Sequence, residues 1–324
     1  MPDETGWVNT VHLDDVDEQA GMLTGWKQEY QQLGCGRFSG TLSSVNAGEF
    51  TLIRETTNKA LHETVMPPGD TMVMSMCLAG ENAPRFNGKL IDQNSLLIMD
   101  GRRSHDIRTK GDLELLGVVV NRDHFFFNTC EQDARIADAA IKSSITQLAP
   151  GAADMLRQYF IMISHVLQNR SDPLSARLSP RMLAAGVLSN ISLAVSLSNP
   201  DQFSAALPQH KRRHRISQEA IDYMRKNAGE EIGILDVCAA VHVSRRTLQY
   251  CFEERLGMSP LQYLKALRLN QARRQLKHLM QMQVRHCNEH TIANIAALCG
   301  FNHASHFASD YKRMFGQLPS QIKV

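Results

Sequence analysis

The last third of the chain repeats one pattern twice, about sixty residues apart, and this repeat constrains the fold more than any other feature. The first copy runs from Ile234 through Val237, Cys238, Ala239 and Ala240 to Val243-Ser244-Arg245-Arg246-Thr247-Leu248. The second runs from Ile292 through Ile295, Ala296 and Ala297 to Cys299-Gly300-Phe301, and on to His306 and Phe307. Each reads as a short helix with small residues at its centre, where a second helix must cross closely, then a tight turn and that second helix. Ala-rich helix pairs are common in ordinary cores, so one such match says little. Two in series, joined by a long helical segment from about Ser259 to Met280, predict an all-α domain with two helix-turn-helix motifs.

Charge divides the chain at the same place. Residues 211–324 hold 18 Lys and Arg against 9 Asp and Glu, a net of +9, while residues 1–210 hold 17 against 24, a net of −7; together these give the chain's +2. The basic end has the electrostatic footprint of a nucleic-acid binder. With 324 residues, 43% hydrophobic and 21% charged, the chain can hold two domains, each with its own core. No apolar run is long enough to span a membrane, and the acidic stretch from Met1 to Asp17 lacks a signal core, so a cytoplasmic location is expected. Seven scattered cysteines never form a C-x-x-C pair, which fits small buried apolar residues better than a zinc site or a disulfide framework.

The pattern along the first two thirds changes twice. Residues 1–34 are expected to be helical, with Trp7 and Trp26 as anchors. From about 36 to 120, short alternating stretches such as Glu49 to Glu55 and Thr71 to Leu78 lie between turn signals, among them Pro67-Pro68-Gly69-Asp70, Asn87-Gly88 and Asp100-Gly101. This predicts an antiparallel β-barrel or jelly roll of cupin type. Helices follow over about 121–198, with apolar stripes at Ala152 to Gln168 and Pro180 to Ser198. The expectation is therefore α+β. A sensing and dimerising domain occupies 1–198, a linker 199–215 with Pro200, Pro208 and the run Lys211-Arg212-Arg213-His214-Arg215, and a DNA-binding domain 216–324. Ser217 is the expected N-cap of the last domain's first helix.

At 100° per residue, Leu248 and Phe252 share one face of the helix after Ser244, with Cys251 beside them. Arg246, Gln249, Tyr250 and Glu253 project from the other. Arg can pair bidentately with guanine and Gln with adenine in a major groove. In the second motif Phe307, Tyr311 and Met314 form the buried stripe, Ser305, Ser309 and Lys312 face outward, and His303 sits near the helix start.

These motifs carry a family resemblance. Around the second motif stand Gly300-Phe301, Phe307, Tyr311-Lys312-Arg313-Met314-Phe315-Gly316 and Leu318-Pro319-Ser320; around the first, Val243 to Leu248, Phe252 and Leu256-Gly257-Met258-Ser259-Pro260. On them, the region from about 215 to 324 resembles the DNA-binding domain of the AraC/XylS family of bacterial transcription regulators. The N-terminal part resembles, more loosely, the effector-binding domain of the subgroup that includes the ethanolamine-operon regulator. The resemblance implies double-stranded promoter or operator DNA and RNA polymerase as partners, an activating role and a small-molecule effector. It puts base contacts on Arg246, Gln249 and Tyr250 in the first motif and on Ser305 and Ser309 in the second, with His303 close by. Arg245, Lys312 and Arg313 suit phosphates, which hold register without reading sequence. Two recognition helices on one face of DNA must stand about 34 Å apart, one helical turn.

For the N-terminal part, Met72, Met74 and Met76 on one strand face are candidate effector contacts, because methionines adapt to varied ligands. The second helical stripe, with Leu183, Val187, Leu188, Ile191 and Val195 beside Ala184, Ala185 and Gly186, is a candidate homodimer surface. A regulator controlled by a partner protein or by its own abundance is the alternative. A cupin-type metal enzyme is a more distant one: it needs clustered imidazoles, and His62-Glu63 and His105-Asp106 stand apart in the sequence. No catalytic residue, metal or cofactor is expected.

Overall fold

The computed structural model describes residues 9–46, 50–80, 84–123, 144–168, 180–198, 208–281 and 291–322. The chain divides into two compact units. The first comprises residues 1–29, 39–58 and 63–205; the second comprises 30–38, 59–62 and 206–324.

The first unit is built on strands β1 (Asn9–Leu13), β2 (Lys27–Gln32), β3 (Gly40–Asn46), β4 (Phe50–Thr57), β5 (Leu61–Met66), β6 (Thr71–Gly80), β7 (Arg85–Phe86), β8 (Lys89–Leu90), β9 (Ser95–Asp100), β10 (His105–Arg108), β11 (Leu113–Asn121) and β12 (Ile145–Gln147). They form a seven-stranded sheet in the order β1-β3-β4-β11-β6-β9-β12 and a five-stranded sheet in the order β2-β5-β10-β7-β8. Neither sheet closes among the described residues, so of the expected barrel or jelly roll the closed barrel is corrected: turn signals fix where strands end, not whether the first and last strands meet. The region 1–34 is also not simply helical. Its described part holds β1, the short helix α1 (Val16–Gly21) and β2, and Trp7 lies outside the described residues. Asp15 caps α1, its carboxylate accepting from the N–H groups of Asp17 at 2.8 Å and Glu18 at 3.1 Å.

Two amphipathic helices, α2 (Pro150–Gln168) and α3 (Pro180–Ser196), bury Leu156, Phe160, Ile163, Val187 and Ile191 in one core with the large sheet. Met72, Met74 and Met76 lie in that core, fully buried and two residues apart on β6, as period-2 side chains must. A Cβ on Gly186 would stand 2.3 Å from Tyr159 Oη, so the glycine permits the close approach of α3 to α2.

The second unit carries α4 (Pro208–Lys226), α5 (Ile234–Ala240), α6 (Arg245–Leu256), α7 (Pro260–Gln281), α8 (Ile292–Leu298), α9 (Ala304–Phe315) and a 3-10 turn at Pro319–Gln321. Residues 208–215, expected to be linker, are the first two turns of α4; residues 199–207 lie outside the described ones. Ser217 is accordingly not an N-cap. It sits inside α4, donates to His214 O at 2.9 Å, and accepts from the buried Arg255 at 3.1 Å. The core joins Ile221, Met224, Val237, Leu248, Phe252, Tyr263, Leu267, Ile295, Phe307 and Tyr311. Leu33 belongs to it as well.

Candidate nucleic-acid interface

The geometry of the interface starts from caps. Ser244 accepts from Thr247 N–H at 3.1 Å and starts α6 after a turn in which His242 has φ 53°. Gly257, with φ 66°, ends it. Between the two, Leu248, Cys251, Phe252 and Leu256 are buried. Arg245 and Arg246 are exposed, Gln249 is half-buried and Tyr250 is 55% exposed. The outward face expected from the 100° projection is the outward face found. The Arg246 guanidinium lies 5.7 Å from the Tyr250 ring centre, and Gln249 donates to Glu253 at 2.6 Å. Each contact joins residues four apart, one helical turn along the exposed face.

The second motif is built alike. Thr291 caps α8 by accepting from Asn294 N–H at 3.2 Å. Gly300, with φ 75°, makes the turn, and a Cβ there would come within 2.7 Å of the Arg268 guanidinium. That guanidinium donates to the carbonyls of Ala228, Glu230 and Ile232 at 3.2, 2.8 and 3.0 Å, tying the loop before α5 to α7. His303 is the N-terminal flanking residue of α9, exposed, its ring 5.7 Å from that of His306. Phe307, Tyr311, Met314 and Phe315 are buried, whereas Ser305, Ser309, Lys312 and Arg313 are exposed. Asp310 accepts from Lys265 at 2.6 Å and from Arg313 at 2.5 Å, so Arg313 is part-neutralised within the domain.

Between the motifs, Pro260 to Gln281 form one helix, and residues 282–290 lie outside the described ones. Ser259 starts α7 with a reciprocal cap: its hydroxyl accepts from Gln262 N–H at 3.2 Å while its own N–H donates to Gln262 Oε1 at 2.9 Å. With 22 residues, α7 spans about 33 Å at 1.5 Å per residue, close to one turn of duplex DNA.

Other residues singled out in the sequence have structural partners. His62 Nδ1 is 2.8 Å from Tyr263 Oη. His105 Nε2 is 3.0 Å from Asp100 O and its ring stacks on Phe86 at 8°; burial lowers its pKa. Among the described residues, no group of three or more His, Cys, Asp or Glu is placed to hold a metal ion. Cys77, Cys238, Cys251 and Cys299 are buried and Cys35 is exposed. Burial pushes the Cys77 thiol up to about 12 and the Cys299 thiol to about 11, far from nucleophilic thiolates. Cys130 and Cys287 lie outside the described residues. Among the described residues, no helix is long and apolar enough to cross a membrane.

The sequence missed a part of this unit. Residues 30–38 and 59–62 belong to it, although they precede α4 by about 170 and about 146 residues in the chain. Arg274 donates to Tyr30 O at 2.9 Å, and Asn270 exchanges two hydrogen bonds with the Gln32 backbone, at 2.9 and 3.1 Å. The only local signal is Gly34-Cys35-Gly36, a turn of ordinary appearance.

A domain with these two motifs on a shared helix is a two-motif helix-turn-helix domain, and known proteins share it. Residues 237–323 match a helix-turn-helix domain family. A probable thc operon regulatory protein of Rhodococcus erythropolis is 34% identical over 106 residues, which cover 33% of this chain and 30% of that protein. The HTH-type transcriptional activator RhaS of Yersinia pestis is 29% identical over 133 residues, 41% of this chain and 44% of the relative. The match thus spans less than half the length of these curated relatives. In a solved transcriptional regulator from Chromobacterium violaceum with AraC-type DNA-binding domain, 32% of aligned residues are identical over 34% of this chain and 91% of that one, with a TM-score of 0.29. This C-terminal region is thus similar to the helix-turn-helix domains of AraC-type transcription regulators.

Proposed function

We propose that the protein is a sequence-specific DNA-binding transcription regulator that activates promoters in response to a small effector, acting in the cytoplasm. One observation carries the DNA-binding reading. Two helices, each buried on one face, present Arg246, Gln249 and Tyr250 on one and Ser305, Ser309 and Lys312 on the other, from a rigid helix whose length matches a turn of DNA. Arg246, Gln249 and Tyr250 read bases, as do Ser305, Ser309 and His303 over a shorter reach. Arg245, Lys312 and Arg313 hold phosphates. Selection of operators from random duplexes by the full chain, followed by footprinting, tests this. Two protected grooves one turn apart are expected; a single groove or no preferred sequence defeats the proposal.

The effector reading rests on the first unit. A cavity of about 50 Å³ lies beside its large sheet, lined by Arg54, Leu78, Leu116, Ile161, Ser164 and His165. Leu78, which borders this cavity, packs against the core that holds Met72, Met74 and Met76. Val187, Ile191 and Val195 of the expected dimer stripe lie in the core instead, but Ile161 and Met162 on α2, Met182 and Leu193 on α3 and Leu197 just after it are exposed apolar side chains, which supports a homodimer through these helices. RNA polymerase is the further partner that activation requires.

A further inference from the structure

The C-terminal turn of α9 is closed by a segment that precedes it by nearly 280 residues, within the same compact unit. A helix ends with carbonyls that have no intrahelical partner. At α9 one of them is met by the glycine cap: Gly316, with φ 72°, donates to Lys312 O at 2.8 Å. The next two are met from 30–38. Gly36 N–H lies 3.1 Å from Arg313 O and 3.0 Å from Met314 O. Gln32 Nε2 lies 2.7 Å from Met314 O and 2.8 Å from both Gly34 O and Gly36 O. Three carbonyls around one amide end fix its orientation, because the flipped amide would set oxygen against oxygen. Gln32 is fully buried, and among the described residues its Oε1 has no hydrogen-bond partner, so the donor end is the one the fold holds. The backbone of Gln32 is locked in turn by Asn270 of α7, and the Arg273 guanidinium lies 4.9 Å from the centre of the Phe315 ring.

We propose that Gln32 is a positioning residue for DNA reading. With Gly36 it holds the last turn of α9, and so sets the angle at which Ser305, Ser309 and Lys312 meet the groove. The first recognition helix ends on a glycine of the same kind, Gly257 with φ 66°, donating to Glu253 O at 3.0 Å. Gln32 is the last residue of β2 (Lys27–Gln32), so the brace is continuous with that strand. The proposal rests on the reading of α9 as a DNA-contacting helix.

The test uses the full chain and an operator selected from random duplexes, with the protein's orientation fixed by cleavage from a reagent attached near α6. Gln32→Met keeps length and bulk and removes the donor. Its affinity is expected to fall about tenfold, as for one or two lost hydrogen bonds. The loss should fall on protection of the groove facing α9, with the groove facing α6 protected as before. Gly36→Ala, strained at φ 104°, should show the same groove-selective loss while keeping Gln32, and it decides the matter if Gln32→Met does not fold. Equal weakening at both grooves, or unchanged protection opposite α9 in a folded variant, overturns the proposal. Failure of the underlying reading looks different: Lys312→Ala and Ser305→Ala would then leave the wild-type footprint untouched.

Discussion

Arg246 stands exposed on a helix whose opposite face is buried, so its removal takes away the proposed contact to DNA without opening the core. Arg246→Ala is expected to weaken operator binding by about 1–3 kcal/mol and to relax the preference at one base pair. Fluorescence anisotropy on single-base operator variants measures both, and unchanged affinity with unchanged preference removes Arg246 from the base-reading set. Glu63 poses the opposite problem. It is buried, and burial first, then repulsion from Glu55 and Asp106, raises its pKa well above the ordinary 4.5. Its folded-state pKa is the higher one, so its contribution to stability is full below the unfolded value and is lost as pH rises toward the folded value. Glu63→Gln should therefore flatten that decline and raise the denaturant midpoint at neutral pH. A midpoint lowered at pH 7 would show that the ionised carboxylate is held by the fold. Residue identity was legible where periodicity fixes orientation, as at Leu248, Phe252 and Phe307. It was not legible at Ser217, whose cap-like setting in the sequence is overruled by a helix that begins nine residues earlier.

The two recognition helices differ in what they offer. α6 presents a guanidinium, an amide and a phenol; α9 presents two serines and a lysine. Serine reaches less far and pairs with several bases, so it discriminates poorly. Base substitutions in the groove facing α6 are expected to cost about 1–3 kcal/mol each, and those facing α9 clearly less. A base-by-base operator scan measures the difference, and equal sensitivity on the two sides would assign base reading to His303 or to backbone groups of the second motif. The helices themselves were readable because caps, small crossing residues and apolar stripes are local. The brace of α9 was not, because hydrogen bonds between residue 32 and residue 314 leave no trace in spacing. The open edges of the two sheets escaped notice for the same reason: closure depends on strand order, which alternation does not encode.

At the scale of the whole molecule, opposite charges are carried by two ends of one chain, +9 over residues 211–324 and −7 over 1–210. The positive end contains every phosphate contact proposed. Each phosphate neutralised releases condensed counterions, and log K falls with log salt by about 0.9 per contact. If Arg245, Lys312 and Arg313 all engage, the slope is about −2.7, and affinity for unrelated duplex drops about fortyfold between roughly 50 and 200 mM salt. Lys312 separates the electrostatic part from the sequence-reading part. It is exposed on the outward face of α9, whereas Arg313 beside it is paired with Asp310. Lys312→Ala should weaken operator and unrelated DNA by the same factor and make the slope shallower by about 1. Arg313→Ala should change the slope less, because Asp310 already screens its charge. Titrations of the full chain at four salt concentrations read out both slopes. A larger effect of Arg313→Ala than of Lys312→Ala would mean that the Asp310 pair opens on DNA, and that α9 meets the backbone through its last turn, where Gln32 and Gly36 hold it.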